Sequence, residues 1–235
     1  RKYLSMFTVG TQNEANRYQW TEATLKKIPA GYKILDAGAG ECQFKKYCTH
    51  LNYVSQDFAQ YNGDGNVGLQ MGSWDNTQLD IVSDITSIPV ADGSFDAVMC
   101  TEVLEHVPDP VAALKEMNRT LRNGGYLMIT VPFASLTHFA PYHFASGLNK
   151  FFFEHHLGAM GYTILQLEQN GNYFEFIAQE VRRVKHVAKK YSKGYNIFDK
   201  IIAHLQLLSL QKFAKSNNNS EELLSFNTFV FAQKK

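Results

Sequence analysis

One stretch constrains the fold of this chain more than any other. Ile34-Leu35-Asp36-Ala37-Gly38-Ala39-Gly40-Glu41-Cys42 reads as a buried strand that ends in an acid and runs into a glycine turn. Glycine has no Cβ, so such a turn lets a ligand sit against bare backbone. Acidic strand ends then recur at Asp57 and Asp84, followed by the segment Phe95-Asp96-Ala97-Val98-Met99-Cys100-Thr101-Glu102-Val103-Leu104-Glu105-His106. In an open α/β sheet, ligands bind outside the carboxyl ends of the strands, where strand order reverses. Three acids at successive strand ends after a glycine turn therefore point to one binding edge.

The pattern along the chain supports such a sheet. Residues 33–37, 53–57, 80–83, 95–100 and 126–131 read as strands, and 62–66 as a loop by its turn chemistry. Helices are predicted over 13–28, 44–50 and 110–121. In the last of these, Val111, Leu114, Met117 and Leu121 recur at helical spacing before Asn123-Gly124-Gly125. Strands that alternate with helices imply a parallel sheet covered on both faces. A helix over 148–160 and a strand over 163–167 follow. Asn172 with Glu175 gives a capping-box-like start to a helical stretch. Residues 216–220 read as a loop and 226–232 as a final strand. The expectation is one domain over 1–235, with a helical cap over 1–30 and a helical insertion over 172–224.

Composition narrows the partners. A formal charge of +1 gives no overall attraction to nucleic acid. No apolar run reaches the ~20 residues of a membrane span. Three cysteines without a C-x-x-C pair, and no signal-peptide core, predict a reduced cytoplasmic protein. A nicotinamide dinucleotide fold is the first competitor. Its G-x-G-x-x-G fingerprint fails here, because Gln43 stands where the third glycine belongs.

These motifs, with Pro89-Val90-Ala91-Asp92-Gly93-Ser94-Phe95-Asp96 and Thr101 to His106, resemble the class I S-adenosylmethionine-dependent methyltransferases, in the branch that modifies small molecules. The likeness spans roughly residues 30 to 167. It implies a Rossmann-like sheet, mostly parallel with the last strand antiparallel. It also implies S-adenosylmethionine as cofactor and S-adenosylhomocysteine as product. On that likeness Asp36, Gly38 and Gly40 hold the methionine portion, and Asp57 the ribose with Phe58 as a wall. Asp84 and Ile85 take the adenine, while Thr101, Glu102 and His106 line the sulfonium end.

The expected reaction is methyl transfer to an O or N atom of a small molecule, with a sugar or glycan precursor as the first guess. The alternatives are a non-catalytic module that binds the cofactor, or another transfer that uses it. An oxygen or nitrogen nucleophile can need a base near neutral pH. His138, Tyr142 and His143 follow the fifth strand in an aromatic stretch that reads as an acceptor pocket. His138, His143 and Glu102 are the candidate bases, and Tyr18 a further substrate contact. No metal site is expected. Glu154-His155-His156 lacks ligand spacing, since adjacent helical residues point about 100° apart. The stripe Leu148, Phe151, Phe152, His155, Ala159 turns one of that histidine pair inward.

Two further features stand outside the site. Arg182, Arg183, Lys185, Lys189, Lys190 and Lys193 form a basic run. It reads as a solvated helix face, with an acidic substrate or an anionic membrane surface as alternatives. The apolar stripe Phe198, Ile201, Ile202, Leu205, Leu208 reads first as core packing, otherwise as a lid or a homodimer surface formed by the helix over 196–213.

Overall fold

The computed structural model describes residues 7–63, 67–69, 72 and 75–235; the loop expected over 62–66 lies partly outside them. Seven strands form one sheet: β1 (Lys33–Ala37), β2 (Asn52–Asp57), β3 (Ile81–Val82), β4 (Phe95–Thr101), β5 (Leu121–Pro132), β6 (Tyr162–Asn170) and β7 (Asn227–Lys234), in the order β3-β2-β1-β4-β5-β7-β6. β1 pairs in parallel with β2 and β4, and β4 with β5. β7 runs antiparallel to β5, from Tyr126 opposite Gln233 to Pro132 opposite Asn227. The expected mixed sheet is present, and strand order reverses between β1 and β4.

Period-two alternation explains why helices cover both faces. Leu35, Ala37, Val98, Cys100, Leu127 and Ile129 pack into one core. Leu114 and Met117 of α2 (Pro110–Thr120), and Phe153 and Leu157 of α3 (Lys150–Ala159), pack there too. Ile34, Ala97, Met99 and Met128 pack into a second core, with Leu25 of α1 (Asn13–Leu25) and Phe44. Asp109 caps α2 by accepting from the Ala112 N–H, with Pro110 at the first helical position.

Several local expectations need correction. Residues 44–50 form a chain of three-residue turns around Lys45–Tyr47 instead of an α-helix, with Tyr47 N–H bonding Phe44 C=O and Cys48 N–H bonding Lys45 C=O. Seven residues are too few to repay helix nucleation before β2 must begin. The third strand shrinks to two residues, because the Asp80 carboxylate accepts from the Ser55 N–H and hydroxyl at its start. Helix α2 ends at Thr120, and Asn123-Gly124-Gly125 belongs to β5. In α3 the inward face is Phe153 and Leu157; His155 is exposed and His156 half-buried.

By contact density the chain divides into two compact units. One comprises residues 18–168 with 227–235 and carries most of the sheet; the other comprises 1–17 with 169–226. The second unit contains α4 (Tyr173–Tyr191) and α5 (Ile197–Lys215). Asn172 caps α4, but Glu175 does not return to it: its carboxylate accepts the Gly10 N–H instead. The reciprocal capping box lies at Asn196 and Asp199. Phe7, Val9, Ala178 and Leu207 form this unit's core. The stripe expected to pack there, Phe198 to Leu208, faces solvent, because α5 turns Ala203 and Leu207 inward.

Candidate active site

The carboxyl ends of β1 and β4 lie side by side at the reversal point. Gly38, with φ +79°, follows β1, and a Cβ there would stand 2.4 Å from Val103 Cγ2. Only glycine lets the turn lie this close to the segment after β4. The Gly38 and Ala39 N–H groups both donate to the Gln56 carbonyl. The Gly40 N–H donates to Asp57 Oδ2 at 3.0 Å, and the Ala59 N–H to Asp57 Oδ1 at 2.9 Å. Asp57 thus fastens the glycine turn to the loop after β2 and retains lone pairs for a ligand.

Asp36 lies beneath the turn, 1% exposed. The Tyr53 hydroxyl donates to its Oδ2 at 2.6 Å, while Oδ1 has no hydrogen-bond partner within the chain. Burial pushes its carboxyl up to about 7, with the Tyr53 bond opposing and the nearby Asp57 charge adding. A cationic group bound at the turn answers both features, so the cradle fits an ammonium-bearing ligand. Asp84 is exposed and spends Oδ1 on the Thr86 N–H and hydroxyl, while Ile85 beside it is buried. Tyr18 donates to Gln43 Oε1 and packs on Phe44, which places it against the segment after the glycine turn.

On the β4 side, Thr101 is buried at the strand end. Glu102, at φ +55°, accepts from the Thr130 hydroxyl at 2.9 Å and from Asn227 Nδ2 at 2.9 and 3.1 Å. Its carboxylate ties β5 and β7 to the end of β4.

The loop after β5 brings the histidines together. The main-chain carbonyl of Glu105 accepts from the Phe144 and Ala145 N–H groups, which folds the loop over the β4 end. His106, His138 and His143 then gather, with ring centroids 4.7 Å apart for His106–His138 and 4.9 Å for His138–His143. One ring nitrogen from each lies within 4.8 Å of the others. His106 Nδ1 donates to the Tyr142 carbonyl, and His138 Nδ1 to that of Leu136. Their lone pairs, in the neutral rings, therefore reside on Nε2. Both Nε2 atoms face the fully buried Glu105 carboxylate, at 3.6 and 4.0 Å from Oε1. Burial drives the His106 pKa down to about 3, helped by His138 and His143 and opposed by the Tyr142 carbonyl; it lowers that of His143 too, again helped by His138. Phe139 packs on His106 and stacks on Tyr61, while Phe58 meets Tyr142 edge to face at 4.9 Å.

The sequence brought His138 and His143 together in one stretch, but no spacing signalled that His106 and Glu105 meet them, since the cluster draws on two loops.

Residues 35–129 match the family described as methyltransferase domain. Over 118 residues the chain is 32% identical to a demethylmenaquinone methyltransferase of Clavibacter sepedonicus, covering 48% of this chain and 47% of that protein. It is 31% identical over 118 residues to a ubiquinone biosynthesis O-methyltransferase of Xanthomonas axonopodis pv. citri, covering 48% of each. The chain thus spans about half the length of the curated relatives it matches. Among solved structures, a geranyl diphosphate methyltransferase in complex with GPP and sinefungin is similar at TM-score 0.54, with 9% identity over 94% of this chain and 79% of that one. The [4+2]-cyclase SpnF is similar at TM-score 0.55, with 16% identity over 92% and 80%. The fold alone therefore does not fix the reaction.

Proposed function

We propose that this chain is a class I S-adenosylmethionine-dependent methyltransferase, a reading its matched segment and its fold support, and that it uses that cofactor to methylate a hydroxyl group of a small molecule held under the loop after β5. The observation that carries this reading is the convergence of three imidazoles beside the glycine turn's strand edge. When bound, the cofactor supplies an electrophilic methyl on a sulfonium that departs as a neutral thioether. The chain's own task is alignment, exclusion of water and removal of one proton.

In this reading Gly38 and Gly40 leave room for the methionine portion, and Asp36 Oδ1 accepts from its ammonium. Asp57 accepts from ribose hydroxyls, and Phe58, Ile85 and Asp84 surround the base. Thr101 and His106 border the sulfonium end, and Glu102 holds the frame there. His138 Nε2 takes the acceptor proton, because its Nδ1–H is already committed to Leu136. His143 and Tyr142 bound the acceptor, with Tyr18 nearer the cofactor turn. The aromatic lining suits a planar hydroxylated ring, and the names of the relatives lead to quinols first, then the sugar hydroxyls expected from sequence.

The test is incubation with S-adenosylmethionine and a panel of quinols, phenols and glycosides, followed by mass spectrometry. A methylated product equimolar with S-adenosylhomocysteine is the expected result. Tight cofactor binding with no acceptor turned over across the panel overturns it in favour of a binding module.

One observation favours a second reading of the same cluster. Two Nε2 lone pairs and the Glu105 carboxylate face one another, which a divalent cation held by His106, His138 and His143 reconciles. Such an ion acidifies an acceptor hydroxyl directly.

A further inference from the structure

The helical unit bears a surface that methyl transfer does not use. In α5 the residues Ile197, Phe198, Ile201, Ile202, Leu205 and Leu208 fall on one stripe about 140° wide at 100° per residue. All six are exposed, from 42% for Leu208 to 71% for Phe198. The opposite side of the same helix is the packed one: Ala203 and Leu207 are buried, with Leu210 and Ala214 against them. A surface helix ordinarily turns its large apolar residues inward and its charges outward. Here the inward face is small and already satisfied, and the larger apolar face has no partner within this unit. An apolar cleft between α4 and α5, lined by Ile177, Val181, Leu205 and Leu210, extends that surface.

Charge is segregated onto the same segment. Residues 169–226 contain nine Lys and Arg against five acids, for a net of +4 in a chain whose total is +1; the remainder is therefore −3. The Asp199 carboxylate accepts the Asn196 N–H in the capping box, at the helix end. Lys189, Lys190 and Lys193 are exposed just before the stripe begins, Lys200 lies along the helix, and Lys212 and Lys215 are exposed at its far end. Cations thus border the apolar face at both ends.

We propose that this face of α5 docks peripherally on an anionic lipid surface, with Phe198, Ile201, Ile202 and Leu205 seated at the acyl boundary and the flanking lysines on headgroup phosphates. Apolar burial and attraction to anionic lipid together give binding where either alone is marginal. Charge disfavours a second copy of this chain: an isologous contact would bring two segments of net +4 together. It favours lipid over nucleic acid as well, because phosphate contacts reward the lysines but leave six aliphatic and aromatic side chains in water. No described helix is long and apolar enough to cross a membrane, so the attachment lies on the surface. This inference does not depend on which acceptor is methylated.

The test is flotation of the full chain with vesicles of phosphatidylcholine alone or with about 30% phosphatidylglycerol, at low and high salt. Binding is expected to the anionic vesicles only, and to weaken with salt. Phe198→Asp/Ile202→Asp and Lys189→Glu/Lys190→Glu/Lys193→Glu are each expected to lower partitioning at least tenfold. All these positions are exposed, and an unchanged Tm and circular dichroism spectrum establish that the variants fold. Absence of binding to anionic vesicles overturns the proposal. So does equal binding by the variants, or equal binding to neutral vesicles. A dimer by light scattering that Phe198→Asp dissolves, without vesicle binding, assigns the face to a second copy instead.

Discussion

His106 donates its Nδ1–H to the Tyr142 carbonyl, and this one bond aims its Nε2 at the buried carboxylate of Glu105, 3.6 Å away. A residue at the end of β4 is thereby locked to the loop after β5. His138 repeats the arrangement through Leu136. Two imidazoles of fixed tautomer at a strand edge are the basis for assigning proton transfer to this loop.

His138→Ala is expected to lower turnover by ~100- to 10,000-fold, the usual contribution of a positioned base, with cofactor affinity unchanged. His143→Ala is expected to cost less, acting on acceptor KM. Single-turnover methylation with a cofactor titration on each variant is the check. A loss of activity that tracks loss of cofactor binding would remove the histidines from the acceptor side.

Asp57→Ala deletes the acceptor for the Gly40 and Ala59 N–H groups as well as a ligand contact. Hydrogen bonds to a charged group are worth ~1.5–3 kcal/mol. S-adenosylhomocysteine should therefore bind roughly tenfold or more weakly by calorimetry, and Tm should fall. Asp84→Asn should do less, since an amide oxygen still accepts from the Thr86 N–H and hydroxyl. Equal losses would show that the two acids do not differ in role.

The main strands and the glycine turn were legible because they rest on local physics. A buried run such as Ile34 to Ala37 can only be a central strand, and Gly38 is required by the Val103 approach. The helical character of α4 and α5 was equally legible from the Asn172 cap and the stripes after it. What the sequence concealed was direction. The stripe Phe198 to Leu208 announces an apolar face but not whether protein or solvent meets it, and Ala203 and Leu207 decided that by packing inward. In the same way, no spacing predicts that His138 and His143 meet His106, because the loop is held by main-chain bonds to Glu105.

Asp36 is expected to make stability fall as pH rises. Its folded pKa is raised from 3.8 to about 7, so the native state holds a proton that the unfolded chain has released. That contribution is complete below about pH 4 and is lost progressively up to about pH 7. Asp36→Asn should flatten this slope and raise Tm at about pH 8, because the amide oxygen still accepts from Tyr53. The same carboxyl should release a proton when a cationic cofactor binds. Calorimetry near pH 6.5, in buffers of different ionisation enthalpy, measures that release. A Tm profile identical to the parent's would show that Asp36 is ionised throughout.

The last prediction separates the two readings of the histidine cluster. If His106, His138 and His143 hold a divalent cation, purified protein carries about one equivalent by elemental analysis, and dialysis against a chelator abolishes turnover. Zinc or another borderline ion restores it, since an imidazole set favours those over magnesium. His106→Ala then lowers metal content and activity together. If His138 acts as a base alone, the chelated protein keeps full turnover, and His106→Ala affects rate only through the position of the loop. Cofactor affinity is the internal control for chelation and for the His138 and His143 variants; His106 borders the sulfonium end, so its variant is read by metal content against activity. A chelated protein that is free of metal, binds S-adenosylhomocysteine normally and methylates at the original rate would eliminate the cation and leave His138 Nε2 as the group that takes the proton.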